Sequence, residues 1–367
     1  MNKKSILIVA SEFPPQPGGI GNHAYNLASQ LCLSNCEVFV IADQRSLNGE
    51  EEQSFDETLK FTVHRIKIAR FRFFMYLNRF YKLMTLVGSA DVVIASGKFS
   101  LWTVGISSWF KRKQYISVIH GTEVNFQNKY LKNSVELSLK RFDHIIAVSN
   151  YTKSLIAHLN LNVSVIPNGY DQNKWSPKTA PSQSLKGSPK LVTVGNVTSR
   201  KGQMNVISHL PSLKLKYPNI HYHCIGLPTQ ADEFLRKAEL LQVERNVTFH
   251  GRLDDEMMHQ MLLTSDIFVM LSSETQTGDV EGFGIAVIEA NALGIPAIGS
   301  SGSGLEDAIA HEKTGFLINP NNTDEFIEKM SQILEGYPAF RQSSIQWAYN
   351  HQWNHIIKRY LKIIHRK

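Results

Sequence analysis

Cysteine is scarce in this chain of 367 residues. Cys32, Cys36 and Cys224 are an odd number, and no second Cys or His pair complements Cys32 and Cys36. That excludes a disulfide framework and gives no structural zinc spacing. Long apolar runs are also missing. No stretch reaches about 18 consecutive apolar residues, so no helix in it is expected to span a membrane. The run from Ile6 to Ala10 stops at a polar, Pro-rich loop over 11–17, too short for the core of a secretion signal. It reads as a buried strand, and a cytoplasmic protein is expected. There is no low-complexity tract and no repeat at solenoid periods. Asp-x-Asp is absent, as is any His/Cys/Asp cluster at ligand spacing, so no metal is expected. Asp279-Val280-Glu281 is the nearest imitation.

What remains is an ordinary globular composition, 43% hydrophobic and 19% charged. Its length predicts two domains. The charge excess of +7 is one-sided: residues 1–170 hold 19 Lys+Arg against 12 Asp+Glu, and residues 171–367 hold 20 against 20. The halves therefore face different partners. Apolar, β-branched runs at 5–10, 37–42, 91–95, 115–119, 144–148 and 163–166 alternate with helix-length stretches, the pattern of a parallel sheet wrapped by helices. The turn Pro167-Asn168-Gly169 and a polar stretch over 172–189 interrupt it and mark the domain boundary. The pattern restarts at 191–195 and continues through 220–225, 246–249, 266–271, 295–298 and 315–318. Apolar positions over 343–364 predict one long amphipathic helix. The expectation is an α/β protein with an N-terminal domain over 1–170, a second domain over 171–344, and a C-terminal helix over about 345–367 packing back on the first. Open α/β sheets bind ligands beyond the carboxyl ends of their strands, so two facing domains would share a central cleft lined by post-strand loops.

Four such loops carry candidate chemistry. In Glu281-Gly282-Phe283-Gly284-Ile285 the glycines let backbone approach a ligand, and a helix start points free amides and its positive dipole end to the same place. Glu289 lies within that helix on the packed side and needs donors there, which a vicinal diol such as a ribose supplies. A helix-start acid and a structural ion-pair partner are the plainer readings of these two glutamates. Arg200-Lys201, before Gly202, is a pair of cations in a loop, otherwise a solvated basic turn. Gly18-Gly19-Ile20-Gly21 misses the Gly-x-Gly-x-x-Gly spacing and is by itself only a tight turn. His120, in His120-Gly121-Thr122-Glu123, ends a strand, where a lone His is more often structural than catalytic.

Glu281 and Glu289 fit the Glu-x7-Glu motif, and the chain resembles glycosyltransferase family 4 of the retaining GT-B enzymes over nearly its whole length. The likeness includes the Gly18–Gly21 loop, His120 to Glu123, Val148-Ser149, Pro167-Asn168-Gly169, Val194-Gly195 through Gly202, Gly251-Arg252 and His311 to Gly315. The resemblance implies the GT-B fold, with two facing Rossmann-like domains, the N-terminal one for acceptor and the C-terminal one for nucleotide-sugar. It also implies transfer of a hexosyl group from a UDP- or GDP-sugar, GDP-mannose or a UDP-hexose, to a glycan or lipid-linked acceptor in cell-surface polysaccharide or glycoconjugate synthesis.

By the same resemblance Glu289 would hold the ribose, with Ile285 nearby. Glu281 and the amides of Phe283 and Gly284 would hold the donor sugar, and Arg200 and Lys201 would neutralise the departing diphosphate in place of a metal. Gly19 would close on that diphosphate, Gly251-Arg252 would approach the base, and His120 would lie against the sugar. Attack would come on the same face as departure, the phosphate taking the acceptor proton. The loop Gly302-Ser303-Gly304 departs from the usual family pattern of two glycines and a proline.

Residues 60–82 add Lys60, Arg65, Lys67, Arg70, Arg72, Arg79 and Lys82 without an acid, interleaved with Phe and Tyr. That suits peripheral contact with an anionic membrane at the inner face of the cell membrane. Packed aromatics with solvated cations is the plainer reading, and no RNA-binding signature accompanies the segment, so nucleic acid is not an expected partner. Competing functions are a sugar-nucleotide epimerase or hydrolase on the same fold, or a non-catalytic sugar-nucleotide-binding membrane scaffold.

Overall fold

In the computed structural model the described residues are 3–16, 18–176 and 185–366, so the expected 172–189 linker falls partly outside them. Contacts divide the chain into two units, Met1–Gly169 with Trp353–Lys367, and Tyr170–Gln352.

The first unit runs β1 (Ser5–Ala10), α1 (Gly19–Leu33), β2 (Glu37–Asp43), α2 (Glu50–Asp56), β3 (Thr62–Ile66), α3 (Arg72–Leu86), β4 (Val92–Ser96), α4 (Lys98–Ser107), β5 (Gln114–Ile119), α5 (Lys129–Leu139), β6 (His144–Ala147), α6 (Asn150–Ser154) and β7 (Val163–Val165). Its seven strands are all parallel in the order β3-β2-β1-β4-β5-β6-β7. β1 is buried along its whole length, the signature of a central strand covered on both faces. β3 has no counterpart among the sequence expectations. Its sequence Thr-Val-His-Arg-Ile is half-exposed at the sheet edge, so it lacks the continuous apolar run that announces the central strands.

The second unit runs β8 (Lys190–Val194), α7 (Gln203–Lys216), β9 (His221–Ile225), α8 (Ala231–Leu240), β10 (Val247–Phe249), α9 (Asp255–Leu263), β11 (Ile267–Met270), α10 (Ile285–Ala292), β12 (Ala297–Ser300), α11 (Leu305–Ala308), β13 (Gly315–Ile318), α12 (Thr323–Glu335) and α13 (Tyr337–Tyr349). Its six strands are parallel in the order β10-β9-β8-β11-β12-β13. Leu210, Leu213, Tyr222, Phe234 and Phe326 are fully buried in its core. Each such side chain contributes about 1.5–3 kcal/mol by leaving water.

The expected single C-terminal helix is two. α13 ends at Tyr349 and α14 (Trp353–Ile364) follows, the break falling where the Tyr170 amide donates to the His351 carbonyl at 2.9 Å and Tyr170 bridges Gln352. Apolar spacing continues through the break and so hid it. Only α14 belongs to the first unit, where it packs on α1, while the second unit continues past 344 to Gln352.

Both sheets reverse their order at a central pair, β1/β4 in the first and β8/β11 in the second. The carboxyl ends at those switch points are where an open sheet leaves a crevice. At the opposite edge of the second sheet, Gly315 has φ +145°, and a Cβ there would stand 1.7 Å from the Ala297 carbonyl oxygen. Gly315→Ala is expected to lower unfolding stability by more than about 2 kcal/mol in urea titration, since strain and clash add. An unchanged midpoint would contradict the β12–β13 register.

Candidate functional site

At the second switch point two loops are tied together. The loop after β8 forms a short 3-10 turn, Ser199–Lys201, ending on Gly202 at φ +77°. A Cβ on Gly202 would lie 1.9 Å from the Leu271 carbonyl oxygen, so only glycine lets this loop rest on the end of β11. The Asn205 amide donates to that same carbonyl at 2.7 Å, and the Ser273 amide donates to the Arg200 carbonyl at 3.2 Å. Arg200 and Lys201 are thereby aimed at the loop that precedes α10.

There Glu281 receives them. Arg200 Nη1 lies 2.5 Å and Lys201 Nζ 2.8 Å from Glu281 Oε2. Burial works to raise the Glu281 pKa, but Lys201 and then Arg200 outweigh it and hold the carboxyl below its ordinary range. Lys201 is pushed below its own ordinary value by burial, which the negative charges of Glu281 and, more weakly, Glu289 oppose. Glu281 is thus an ionised carboxylate between two cations, a cluster with one net positive charge. A removable partner leaves an uncompensated buried charge, which costs several kcal/mol, so the cluster favours an anion that can take over.

The neighbouring backbone is buried and carries a left-handed glycine. Gly284 has φ +90°, and Phe283 and Gly284 precede the first residue of α10, so their amides stand outside its ladder. The Phe283 side chain is buried against the His351 ring, leaving only its backbone for binding. Ile285 is half-buried at the helix start. The Gly304 amide donates to the Glu281 carbonyl at 2.9 Å, and a Cβ on Gly304 would come within 2.1 Å of the Gly282 carbonyl carbon. The Gly302-Ser303-Gly304 loop therefore supports the Glu281 loop directly, despite its unusual sequence.

Glu289, half-buried on α10, has its carboxyl pushed up to about 7, chiefly by burial. Lys174, a hydrogen bond from the Trp175 side chain and Lys201 act in the opposite direction, and Asp255 adds to the rise. Gly251 and Arg252 stand apart from this cluster. The Gly251 carbonyl accepts from the Gly226 amide at 2.9 Å beyond the edge strand β10, and Arg252 is exposed with no ion pair among the described residues.

In the first unit the other two expected residues lie near the β1/β4 switch point. Gly19 opens α1, is exposed, and a Cβ there would meet nothing within 4 Å, so packing within the chain does not explain a glycine. His120, at the end of β5, is buried. Its Nε2 lies 3.1 Å from Ser96 Oγ at the end of β4, and burial lowers its pKa to about 4, so the ring is neutral near pH 7. Among the described residues its Nδ1 makes no hydrogen bond.

The sequence motif quoted Glu123 without giving it a role. Glu123 Oε1 accepts the His120 backbone amide at 2.5 Å, while its buried Oε2 has no hydrogen-bond partner among the described residues. Burial pushes this carboxyl up to about 7. Two further groups went unseen: the His23 ring meets His120 edge-on at 4.9 Å, and Tyr360 of α14 hydrogen-bonds His23 Nε2 at 3.0 Å. No local pattern links Tyr360 to a residue 337 positions away.

Residues 17–174 match the model of Glycosyltransferase Family 4, and residues 177–351 that of Glycosyl transferases group 1. A GDP-mannose-dependent alpha-(1-6)-phosphatidylinositol monomannoside mannosyltransferase of Mycobacterium tuberculosis is 23% identical, over 90% of this chain and 89% of that protein. A glycogen synthase of the same species is 24% identical over 92% of this chain and 87% of that one. Among solved structures, Anabaena HepE in complex with UDP and glucose superposes with TM-score 0.80 at 18% identity, over 98% and 99% of the two chains. A glycosyltransferase of Rickettsia africae gives TM-score 0.80 at 19% identity, over 99% of this chain and 98% of that one. With two parallel-sheet Rossmann-like units of the GT-B fold and two family models that match adjacent stretches, 17–174 and 177–351, the chain belongs to the family 4, group 1 glycosyltransferases.

Proposed function

We propose that this glycosyltransferase moves a hexosyl group from a UDP- or GDP-sugar to a glycan or lipid-linked acceptor, with retention at the anomeric carbon and without a metal, in making cell-surface polysaccharide or glycoconjugate. The observation that carries the reading is Glu281 held between Arg200 and Lys201 at the head of α10. A nucleoside diphosphate is the anion that fits: its phosphates take the two cations, freeing the Glu281 carboxylate for sugar hydroxyls beside the Phe283 and Gly284 amides. Arg supplies a planar fork and Lys a compact charge, together the role a divalent ion plays elsewhere.

In the reaction the bond from the anomeric carbon to the phosphate oxygen breaks, and a bond to the acceptor oxygen forms on the same face. The acceptor proton passes to the departing phosphate. Arg200 and Lys201 hold the charge that develops on the phosphate, and this electrostatic stabilisation is the largest contribution expected of the protein. His120, neutral, positions the sugar through its Nδ1 or its backbone carbonyl. Both nucleotide types have support among the relatives: the M. tuberculosis mannosyltransferase is GDP-mannose-dependent and HepE is solved with UDP and glucose.

The acceptor is best sought at a lipid surface on the inner face of the cell membrane. No helix among the described residues is long and apolar enough to cross a membrane. The basic segment 60–82 is less uniform than its sequence: Arg65 pairs with Asp56 and Arg79 with Asp43, so these two cations are neutralised within the fold. Lys60, Lys67 and Arg70 remain exposed, beside exposed Phe71, Phe73, Phe74 and Tyr81 on and before α3, with Trp109 and Phe110 after α4. Cations alongside exposed aromatics suit an anionic bilayer.

Two measurements test these readings. Glu281→Gln and Lys201→Ala should each lower hexosyl transfer by about 10²-fold or more with the fold retained, as loss of charge stabilisation does; unchanged transfer in both would remove the site. The protein should co-sediment with vesicles containing phosphatidylglycerol at low salt, weakly with pure phosphatidylcholine, and less as salt rises. Equal binding to both lipids, or none at low salt, would contradict the membrane reading.

A further inference from the structure

Two buried side chains of the first unit stand behind His120 without a part in the proposed reaction. His23, on the α1 helix that opens at Gly19, is 4% exposed, and Tyr360 of α14 is fully buried. The Tyr360 hydroxyl lies 3.0 Å from His23 Nε2. The His23 ring meets the His120 ring edge-on, with centroids 4.9 Å apart and planes at 77°, and also packs on Trp353 of α14 at 5.4 Å. His120 itself is held at two further points, Nε2 by Ser96 Oγ at 3.1 Å and the backbone amide by Glu123.

The tautomer of His23 follows from this arrangement. Burial, and then the neighbouring His120, hold its pKa well below the ordinary value, so the ring is neutral, with one donor and one acceptor nitrogen. His23 Nδ1 is buried and has no hydrogen-bond partner among the described residues. With the Tyr360 O–H donating to Nε2, the proton sits on Nδ1 and one polar group is left unmatched. With Nε2–H donating to Tyr360 instead, the phenol hydrogen and the Nδ1 lone pair would both be unmatched. The first arrangement is therefore the lower in free energy. An apolar pair in these two places would leave no polar group unmatched, so packing alone does not account for His23 and Tyr360.

We infer that Tyr360 is a positioning residue for glycosyl transfer, acting through His23 on the His120 ring. The inference rests on the reading that His120 lies against the donor sugar. An imidazole can turn over about its Cβ–Cγ bond, which interchanges carbon and nitrogen atoms at its edge. The bond from the Tyr360 hydroxyl removes that freedom from His23, whose edge-on packing then limits the His120 ring. With Ser96 on Nε2, His120 keeps one orientation, and its Nδ1 and backbone carbonyl stay where the sugar needs them. The C-terminal helix α14 thus serves the site as well as covering α1.

The test is Tyr360→Phe, which keeps the buried ring and deletes the hydroxyl, made alone and together with His120→Ala. UDP-glucose and GDP-mannose are each supplied with water as the acceptor, and release of UDP or GDP is followed. Tyr360→Phe should lower kcat about tenfold with the donor KM little changed, since Arg200 and Lys201 are untouched. In the His120→Ala background the same substitution should add little, because the two residues act as one unit. His120→Ala with an unchanged kcat would overturn the His120 reading and this inference with it. An unimpaired Tyr360→Phe beside an impaired His120→Ala would overturn the inference alone, and so would equal losses in both backgrounds, the mark of a merely structural role. Nuclear magnetic resonance of protein labelled with ¹⁵N at histidine needs neither turnover nor a folded variant for its first reading. In the wild type His23 should show one tautomer, protonated at Nδ1 and bare at Nε2; in Tyr360→Phe that preference should be lost and the His120 ring signals should move. A wild-type His23 protonated at Nε2 contradicts the inference even where neither donor is cleaved.

Discussion

The second unit depends on one electrostatic constraint, a carboxylate that must satisfy two cations in a place with little water. Glu281 meets Arg200 and Lys201 because β8 and β11 are neighbours at the switch point, and because Gly202 lets one loop rest on the end of the other strand. Neither cation is stable there alone, and neither is the acid. Such a cluster contributes little net stability compared with apolar packing, since desolvation offsets attraction. What it does provide is an arrangement with a positive remainder, in which, on the proposed reading, an incoming diphosphate would exchange one set of ion pairs for another. The surrounding glycines, Gly284 and Gly304, let the chain pack against the Leu305 side chain and the Gly282 backbone.

The first unit meets the same requirement differently. Its switch point carries a neutral imidazole, His120, held by Ser96 and by Glu123 through the backbone, and backed by His23 and Tyr360. Burial lowers the His120 pKa to about 4 and raises that of Glu123 to about 7, so both groups are disposed to be neutral where they are buried. On the proposed reading a neutral site suits sugar hydroxyls, whereas the charged site suits a phosphate.

Much of this was legible in the sequence. Central strands buried on both faces read as continuous apolar runs, and every such run became a strand within a residue or two. The edge strand β3 escaped because one face is wet and carries His64 and Arg65. Glu281, Arg200 and Lys201 were legible as types suited to a sugar nucleotide, but their mutual ion pairing was not, since it depends on which strands become neighbours. The break between α13 and α14 was hidden by apolar spacing that runs through it, and is set by a hydrogen bond from Tyr170 far away in the chain. Arg65 and Arg79 looked like free cations because their partners, Asp56 and Asp43, lie outside the segment.

The most direct test of the central claim is a crystal structure with UDP or GDP bound. The account predicts the diphosphate within hydrogen-bond distance of Arg200 and Lys201, with the Glu281 carboxylate released from at least one of them and turned toward the place of the sugar. A nucleotide bound elsewhere, with both ion pairs to Glu281 still as short as 2.5 and 2.8 Å, would contradict it.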